Sequence, residues 1–286
     1  MKTAKPFLKW TGGKQRWMGK IKEYFPEHSF RKYVEPFLGG GSVFLWMCKN
    51  NRAEEAVISD LNKDLITVYE TIRLYPEELI RSISELKDRY MSLRSEQKAE
   101  MYYSMRIIFN GTANQYNQIE RAALFIFLNK TCFNGLYRVN SKGENNSPFG
   151  KYENPEVFIP ENIGLWSMFL KKTEIIQGDF TVTERFIDEN SFVYLDPPYK
   201  PLRKTSSFTQ YTNSPFNDNE QIRLCEYFKH LDKKGAKILL SNSCTDDGFF
   251  EKYYSDYKIE KIQVSRTNGG RKKSGTPVTE LLIMNY

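Results

Sequence analysis

The stretch "FVYLDPPYK", Phe192 to Lys200, runs four apolar residues straight into a carboxylate, two prolines and an aromatic ring. A short apolar run that stops at a turn signal reads as a fully buried strand. Its last side chains then stand at the carboxyl edge of a sheet, where open α/β folds keep their ligand crevice. The prolines fix φ and remove two N–H donors. What remains is a pair of acceptors, the Asp196 carboxylate and the Pro197 carbonyl, beside the flat face of Tyr199. Such a cluster suits a planar substrate that donates two N–H hydrogens, such as the exocyclic amine of adenine or cytosine. That amine is a poor nucleophile because its lone pair is delocalised into the ring. Two acceptors on its hydrogens raise the electron density on nitrogen and favour tetrahedral geometry, with no histidine base or metal.

Upstream, "YVEPFLGGGSVFLWMCK" reads as a strand, a glycine loop and a helix. "AVISDLNKDLITVYETI" repeats strand and helix, with Asp60 at the strand's end. This alternation predicts a mostly parallel α/β sheet. The three glycines of "EPFLGGGS" allow a sharp turn and close approach of a ligand. The loop lacks the Gly-Lys-Ser/Thr of a P-loop and is not G-x-G-x-x-G. Asp60 is placed to accept hydrogen bonds from a ribose, or else to cap the helix that follows it.

From Asn62 the character changes to successive helical patterns, with Pro76 at a helix start and "QIERAALFIFLN" as a strongly apolar helix. A turn-rich segment follows, "NKTCFNGLYRVNSKGENNSPFGKYENP", in which "LYRVN" alternates like one arm of a hairpin near residues 133–150. "TEIIQGDF", "SFVYLDPP" and "AKILLSNS" then read as strands, each with a helix after it. The chain closes with "KIEKIQVSRT", a basic glycine-rich loop and "TELLIMNY", an expected antiparallel hairpin at the sheet's edge. The sheet-forming parts are residues 1–61 and 171–286, split by a mostly helical insertion over 62–170.

The chain has 286 residues with 40% hydrophobic and 27% charged, the profile of a soluble globular protein. No apolar run is long enough to span a bilayer. The start, "MKTAKPFLKW", has no signal-peptide core, so a cytoplasmic location is expected. Lys and Arg exceed Asp and Glu by 42 to 35, a net charge of +7 that favours a polyanionic partner. Cys48, Cys132, Cys225 and Cys244 have no C-x-x-C spacing, so free thiols are expected rather than a metal or redox site. With only His28 and His230 present, histidine acid–base or metal chemistry is not expected.

"EPFLGGGS" and "DPPY", with "FLKWTGGK" at the start and an insertion between them, resemble the D12-class (alpha-group) Dam-type DNA adenine-N6 methyltransferases. The likeness covers essentially the whole chain. It implies a Rossmann-like class I methyltransferase sheet with an inserted DNA-recognition domain. It also implies S-adenosylmethionine as cofactor, with no metal, and double-stranded DNA as substrate. On this resemblance Trp10 and Lys14 border the cofactor, Phe37, Gly39 and Gly40 line its methionine end, and Glu35 is among its contacts. Asp60 holds its ribose, and Asp179 and Phe180 hold its adenine. Asp196 and Pro197 grip the target amine, Asp196 also facing the cofactor, and Tyr199 stacks on the extruded base. A bacterial or phage-infected cell, with the nucleoid as the site of action, follows from the same likeness; the sequence carries no clear oligomeric signal, so a monomer is the default.

The segment "FNGLYRVNSKGENNSPFGKY" resembles the recognition hairpin of that family and points to GATC. Arg138 suits bidentate contact with guanine in the major groove. The likeness places Leu136 and Pro148 on a thymine methyl and Phe133 as a wedge beside the flipped base. It places Asn134 on bases or the orphaned partner, Lys9 on the first guanine, and Asn140 among the DNA contacts. The family often has "FGRY" where this chain has Lys151, which meets phosphate as a point charge rather than a planar fork. Arg266, Arg271, Lys272 and Lys273 are expected to track phosphates. Two other readings compete. D-P-P-Y-type tetrapeptides also serve amine methylation of RNA and of protein glutamine, and an inactive methyltransferase fold can persist as a DNA-binding module.

Overall fold

The computed structural model describes residues 4–111, 117–201, 216–265 and 277–286. Arg266, Arg271, Lys272 and Lys273 lie outside them. Among the described residues, β1 (Phe30–Glu35), β2 (Ala53–Asp60), β3 (Thr173–Gln177), β4 (Ser191–Leu195), β5 (Lys237–Ser243), β6 (Lys258–Ser265) and β7 (Pro277–Met284) form one sheet. Its order is β3-β2-β1-β4-β5-β7-β6. The first five strands are parallel, and β7 runs antiparallel to both β5 and β6. This is the Rossmann-like sheet with an antiparallel edge hairpin that the sequence predicts. The chain leaves β1 towards β2 and β3, then returns to β4 on the other side of β1. The carboxyl ends of β1 and β4 therefore flank the switch point, where such sheets bind ligands.

The buried run of β4 shows why the sheet holds. Phe192, Val193, Tyr194 and Leu195 have no exposed surface. Successive side chains point to opposite faces. Phe192 and Tyr194 join a core with Phe25, Tyr33 and Phe44, while Val193 and Leu195 join a second core with Leu224, Phe228 and Leu231. A strand covered on both faces has to be apolar throughout.

The helices are α1 (Met18–Ile21), α2 (Ser42–Lys49), α3 (Lys63–Leu74), α4 (Pro76–Met91), α5 (Ser95–Gly111), α6 (Gln118–Thr131), α7 (Pro160–Leu170), α8 (Asp218–Lys233) and α9 (Phe249–Tyr253). Pro76 starts α4, as expected. Asn62, not Asp60, caps α3, its side chain accepting the Leu65 N–H at 3.0 Å. A capping box of Asn117 and Glu120 starts α6, whose buried residues lie on every side. Such a helix sits at the centre of its surroundings, and here α3, α4 and α5 pack around it. The apolar core of these helices is continuous with the one beneath the sheet, running from Tyr90 and Phe127 to Ile58 and Phe192.

Two details differ from the sequence reading. No α-helix follows β3; a 3-10 segment, Phe180–Phe186, takes its place. The link back to β4 is short, and β-branched Thr181, Val182 and Thr183 resist helix formation. In the segment 133–150 the antiparallel pairing is confined to two isolated bridges, Cys132 with Phe149 and Val139 with Asn145. Side chains of α5 hold the loop instead. The Tyr102 hydroxyl and the Arg106 guanidinium both donate to the Ser147 carbonyl, at 2.8 and 2.7 Å. Asn110 exchanges two hydrogen bonds with the Asn145 backbone. All four cysteines are free. Among the described residues, no helix is long and apolar enough to cross a membrane.

Candidate active site

The glycine loop after β1 folds against the N-terminal segment. Gly39 has φ +49°, and a Cβ there would stand 2.8 Å from Cδ1 of Trp10. The loop is tied from the next strand, because the Gly39 N–H donates to Asp60 Oδ2 at 2.9 Å. The Asn62 N–H donates to Asp60 Oδ1 at the same distance. Burial pushes the Asp60 carboxyl up, against the opposing effect of these N–H donors. Asp60 thus joins the carboxyl end of β2 to the glycine loop of β1, with Trp10 packed on Gly39 and Gly40.

Across the switch point, Asp196 ends β4. The Lys14 ammonium lies 2.5 Å from each of its carboxylate oxygens, and Lys14 is only 2% exposed. The same ammonium sits 4.8 Å from the centroid of the Tyr199 ring. The Ser241 hydroxyl donates to Asp196 Oδ1 at 2.9 Å. The Tyr199 hydroxyl donates to Glu280 Oε2 at 2.9 Å. Carboxylate and ring together therefore receive one N–H-bearing group. Pro197 is buried beneath them, and the Gln221 amide holds the Pro198 carbonyl at 3.0 Å.

Glu35, the last residue of β1, is buried and accepts the Tyr33 hydroxyl at 2.7 Å. Burial raises its carboxyl to about 8, and the negative charge of Asp196 adds to the rise while Tyr33 and Lys14 oppose it. Phe37 and Phe180 meet with ring centroids 5.4 Å apart, and Phe216 stands edge-on to Phe37 at 5.9 Å. Asp179 is gripped bidentately by Arg223 of α8, at 2.8 and 2.6 Å, and also accepts the Thr181 hydroxyl. The Arg223 hydrogen bonds hold the Asp179 carboxyl below its ordinary range. The Arg223 guanidinium also covers the Phe180 ring at 4.2 Å.

The described residues expected on DNA, Lys9 and those of the segment 133–151, lie beside the first cluster, joined to it through Trp10, which stacks on Tyr137 at 5.7 Å. Lys9 is clamped by Asn129, which accepts its N–H at 2.9 Å and donates to its carbonyl at 2.8 Å. Its ammonium lies 4.4 Å from the Tyr152 ring centroid. Phe133 is 51% exposed, while its backbone N–H is fixed to the Pro148 carbonyl. Asn134 sits at φ +56°, its N–H held by the Tyr152 hydroxyl. The Leu136 carbonyl accepts the Ser147 hydroxyl. Arg138 reaches back to the Asn146 carbonyl at 3.4 Å. The Asn140 side chain is engaged within its own turn, by the N–H groups of Lys142 and Glu144 and by the Glu144 carboxylate. Lys151 is exposed, with φ +56°.

Ser241, Glu280, Arg223, Asn129 and Tyr137 have no place in the sequence reading of the site. Two of them carried a signal of the same kind as Asp196. Ser241 stands late in the apolar strand "AKILLSNS", and Glu280 is an acid inside the apolar strand "TELLIM".

The chain matches the family described as D12 class N6 adenine-specific DNA methyltransferases over residues 10–268. It is 46% identical to the type II methyltransferase M.MjaIII of Methanocaldococcus jannaschii, covering 99% of both chains. It is 37% identical to the type II methyltransferase M1.LlaDCHI of Lactococcus lactis, covering 99% of this chain and 95% of that one. The DNA adenine methylase of Escherichia coli K12 is 34% identical, over 99% of this chain and 96% of its own. With a switch-point site that ends in Asp-Pro-Pro-Tyr and a family match across most of its length, the chain belongs to the D12 class N6 adenine-specific DNA methyltransferases.

Proposed function

We propose that the protein transfers a methyl group from S-adenosylmethionine to N6 of adenine in duplex DNA at GATC, by base flipping and direct transfer. Asp196 and the Pro197 carbonyl accept the hydrogens of the target amine, and Tyr199 stacks on the base. The observation that carries this reading is the Lys14 ammonium, held by both Asp196 oxygens and over the Tyr199 ring. The pair is built to hold a nitrogen that donates N–H bonds in front of an aromatic face. The RNA, protein-glutamine and inactive-module readings give way to membership of the DNA adenine family.

The residues at the strand ends fit the cofactor. Asp60 presents an acid beside the glycine loop, as ribose hydroxyls require. Phe37 and Phe180 form an aromatic wall nearby, and Arg223 fixes Asp179 and covers Phe180. The cofactor supplies an electrophilic methyl group when bound. The target nitrogen takes that methyl directly as the methyl–sulfur bond breaks, so that S-adenosylhomocysteine leaves and the nitrogen gives up one proton to solvent, with no covalent enzyme intermediate.

A base within a duplex cannot reach this pocket. Flipping costs roughly a few kcal/mol, and stacking on Tyr199 offsets about 1–3 kcal/mol of it. Phe133, half exposed at the base of the segment beside Pro148, would fill the gap, and Arg138 would read guanine. The test uses labelled S-adenosylmethionine with three short duplexes. One contains GATC, one has that site N6-methylated on both strands, and one contains GTTC. Label on the first alone supports chemistry and site together. Label on GTTC as well removes the site assignment, and label on none removes the acceptor.

A further inference from the structure

Glu280 is a carboxylate with no exposed surface, on β7 between Ser243 of β5 and Ile262 of β6. Burying an acid in the middle of a sheet is costly unless a partner uses it. Its Oε2 accepts the hydroxyl of Tyr199 at 2.9 Å. Burial, then Asp196, then Glu280 raise the Tyr199 hydroxyl well above its ordinary pKa, so it remains a donor. A hydrogen bond from a neutral hydroxyl to a carboxylate is about twice as strong as one between neutral groups. The hydroxyl end of the ring is thereby tied to β7, while the Lys14 ammonium lies 4.8 Å from the ring centroid. The ring thus accommodates a cation beside it.

We propose that Glu280 is a positioning residue for methyl transfer: through the Tyr199 hydroxyl, its carboxylate fixes the stacking ring and enriches the face beside which the target nitrogen becomes positive. The nitrogen gains positive charge as it takes the methyl group, and an aromatic face attracts a cation through its quadrupole. A carboxylate hydrogen-bonded to the phenol strengthens that attraction without touching the base. This rests on the reading of Tyr199 as the stacking ring.

Three variants separate the parts. Glu280→Gln keeps an acceptor of the same shape and removes the charge. Tyr199→Phe keeps the ring and removes the hydroxyl, and the double variant combines them. Each is assayed for kcat, for KM with duplex DNA, for cofactor affinity, and for flipping with 2-aminopurine at the target position. Glu280→Gln is expected to lower kcat about tenfold, with KM, cofactor affinity and flipping within about twofold. Tyr199→Phe should lose a similar factor, and the double variant no more than Tyr199→Phe alone. Losses that multiply in the double variant would place the action of Glu280 elsewhere and overturn the proposal. So would an unchanged kcat in Glu280→Gln. Tyr199→Ala guards the premise. If it turns over at the wild-type rate, the stacking reading falls and this inference with it. If it is crippled while Glu280→Gln and Tyr199→Phe are not, only the role of Glu280 falls.

Discussion

Gly135 and Lys9 meet where the segment 133–150 packs on the N-terminal residues. A Cβ on Gly135 would stand 2.3 Å from the Cβ of Lys9, and Gly135 has φ +65°. Only glycine meets both demands without strain. Gly135→Ala should cost about 1–3 kcal/mol of stability and push Lys9 off the Tyr152 ring. Thermal unfolding and DNA titration check this together. DNA affinity is expected to fall while cofactor affinity holds. A melting loss with intact DNA affinity would remove Lys9 from the DNA-binding set.

Tyr199→Ala should leave cofactor affinity near normal and reduce turnover severely, because the ring shares the Lys14 ammonium with Asp196. Calorimetric cofactor binding and single-turnover methylation separate the two. Equal losses in both would sink the stacking role.

Arg138 is partly buried, and its Nε has no hydrogen-bond partner among the described residues. That nitrogen is buried, so a bidentate guanine contact falls to the two terminal guanidinium nitrogens. Arg138→Ala should reduce discrimination at one guanine by about 1–3 kcal/mol, with cofactor affinity unchanged. Competition between duplexes substituted at that base measures it, and an unchanged preference order would refute the contact.

Arg223 holds both oxygens of Asp179 and lies over Phe180. Arg223→Ala frees the carboxylate and uncovers the ring. The expected result is weaker cofactor binding with DNA affinity intact. If cofactor affinity does not change, neither Asp179 nor Phe180 belongs to the cofactor site.

Glu35 gives a pH signature. Its carboxyl is raised from an ordinary 4.5 to about 8, chiefly by burial. The folded protein therefore holds a proton there that the unfolded chain releases above its ordinary pKa. Stability from this residue falls as pH rises between those two values. Glu35→Gln, which cannot ionise, should gain in melting temperature relative to the wild type as pH goes from 5 to 8. A constant difference across that range would show that Glu35 does not titrate in the folded protein.

The strands and the switch point were legible because buried parallel strands are apolar throughout, and because Asp196 and the glycine loop interrupt that pattern at its carboxyl ends. The missing helix after β3 had a sequence signal, the β-branched run of "TVTERF" in a short link between two strands, but its charges and apolar residues at helical spacing point the other way. Partners of site residues were the hardest to read. Arg223 reaches Asp179 across 44 positions, and Lys14 reaches Asp196 across 182. No local pattern encodes such pairs. Asn140 shows the converse limit, because its residue type suits base contact and the fold engages its side chain inside a turn.

The unbroken core between the sheet and the inserted helices has a consequence for engineering. Trp10 packs on Gly39 and Gly40 while stacking on Tyr137 of the segment 133–150, and Trp166 of α7 lies against the same glycine loop. The insertion is therefore no cassette. Exchanging it wholesale for that of a relative would tear the interior on which the glycine loop rests. New sequence preferences are more accessible by single replacements on the exposed face of residues 133–150, leaving Tyr137, Ser147 and their anchors on α5 untouched.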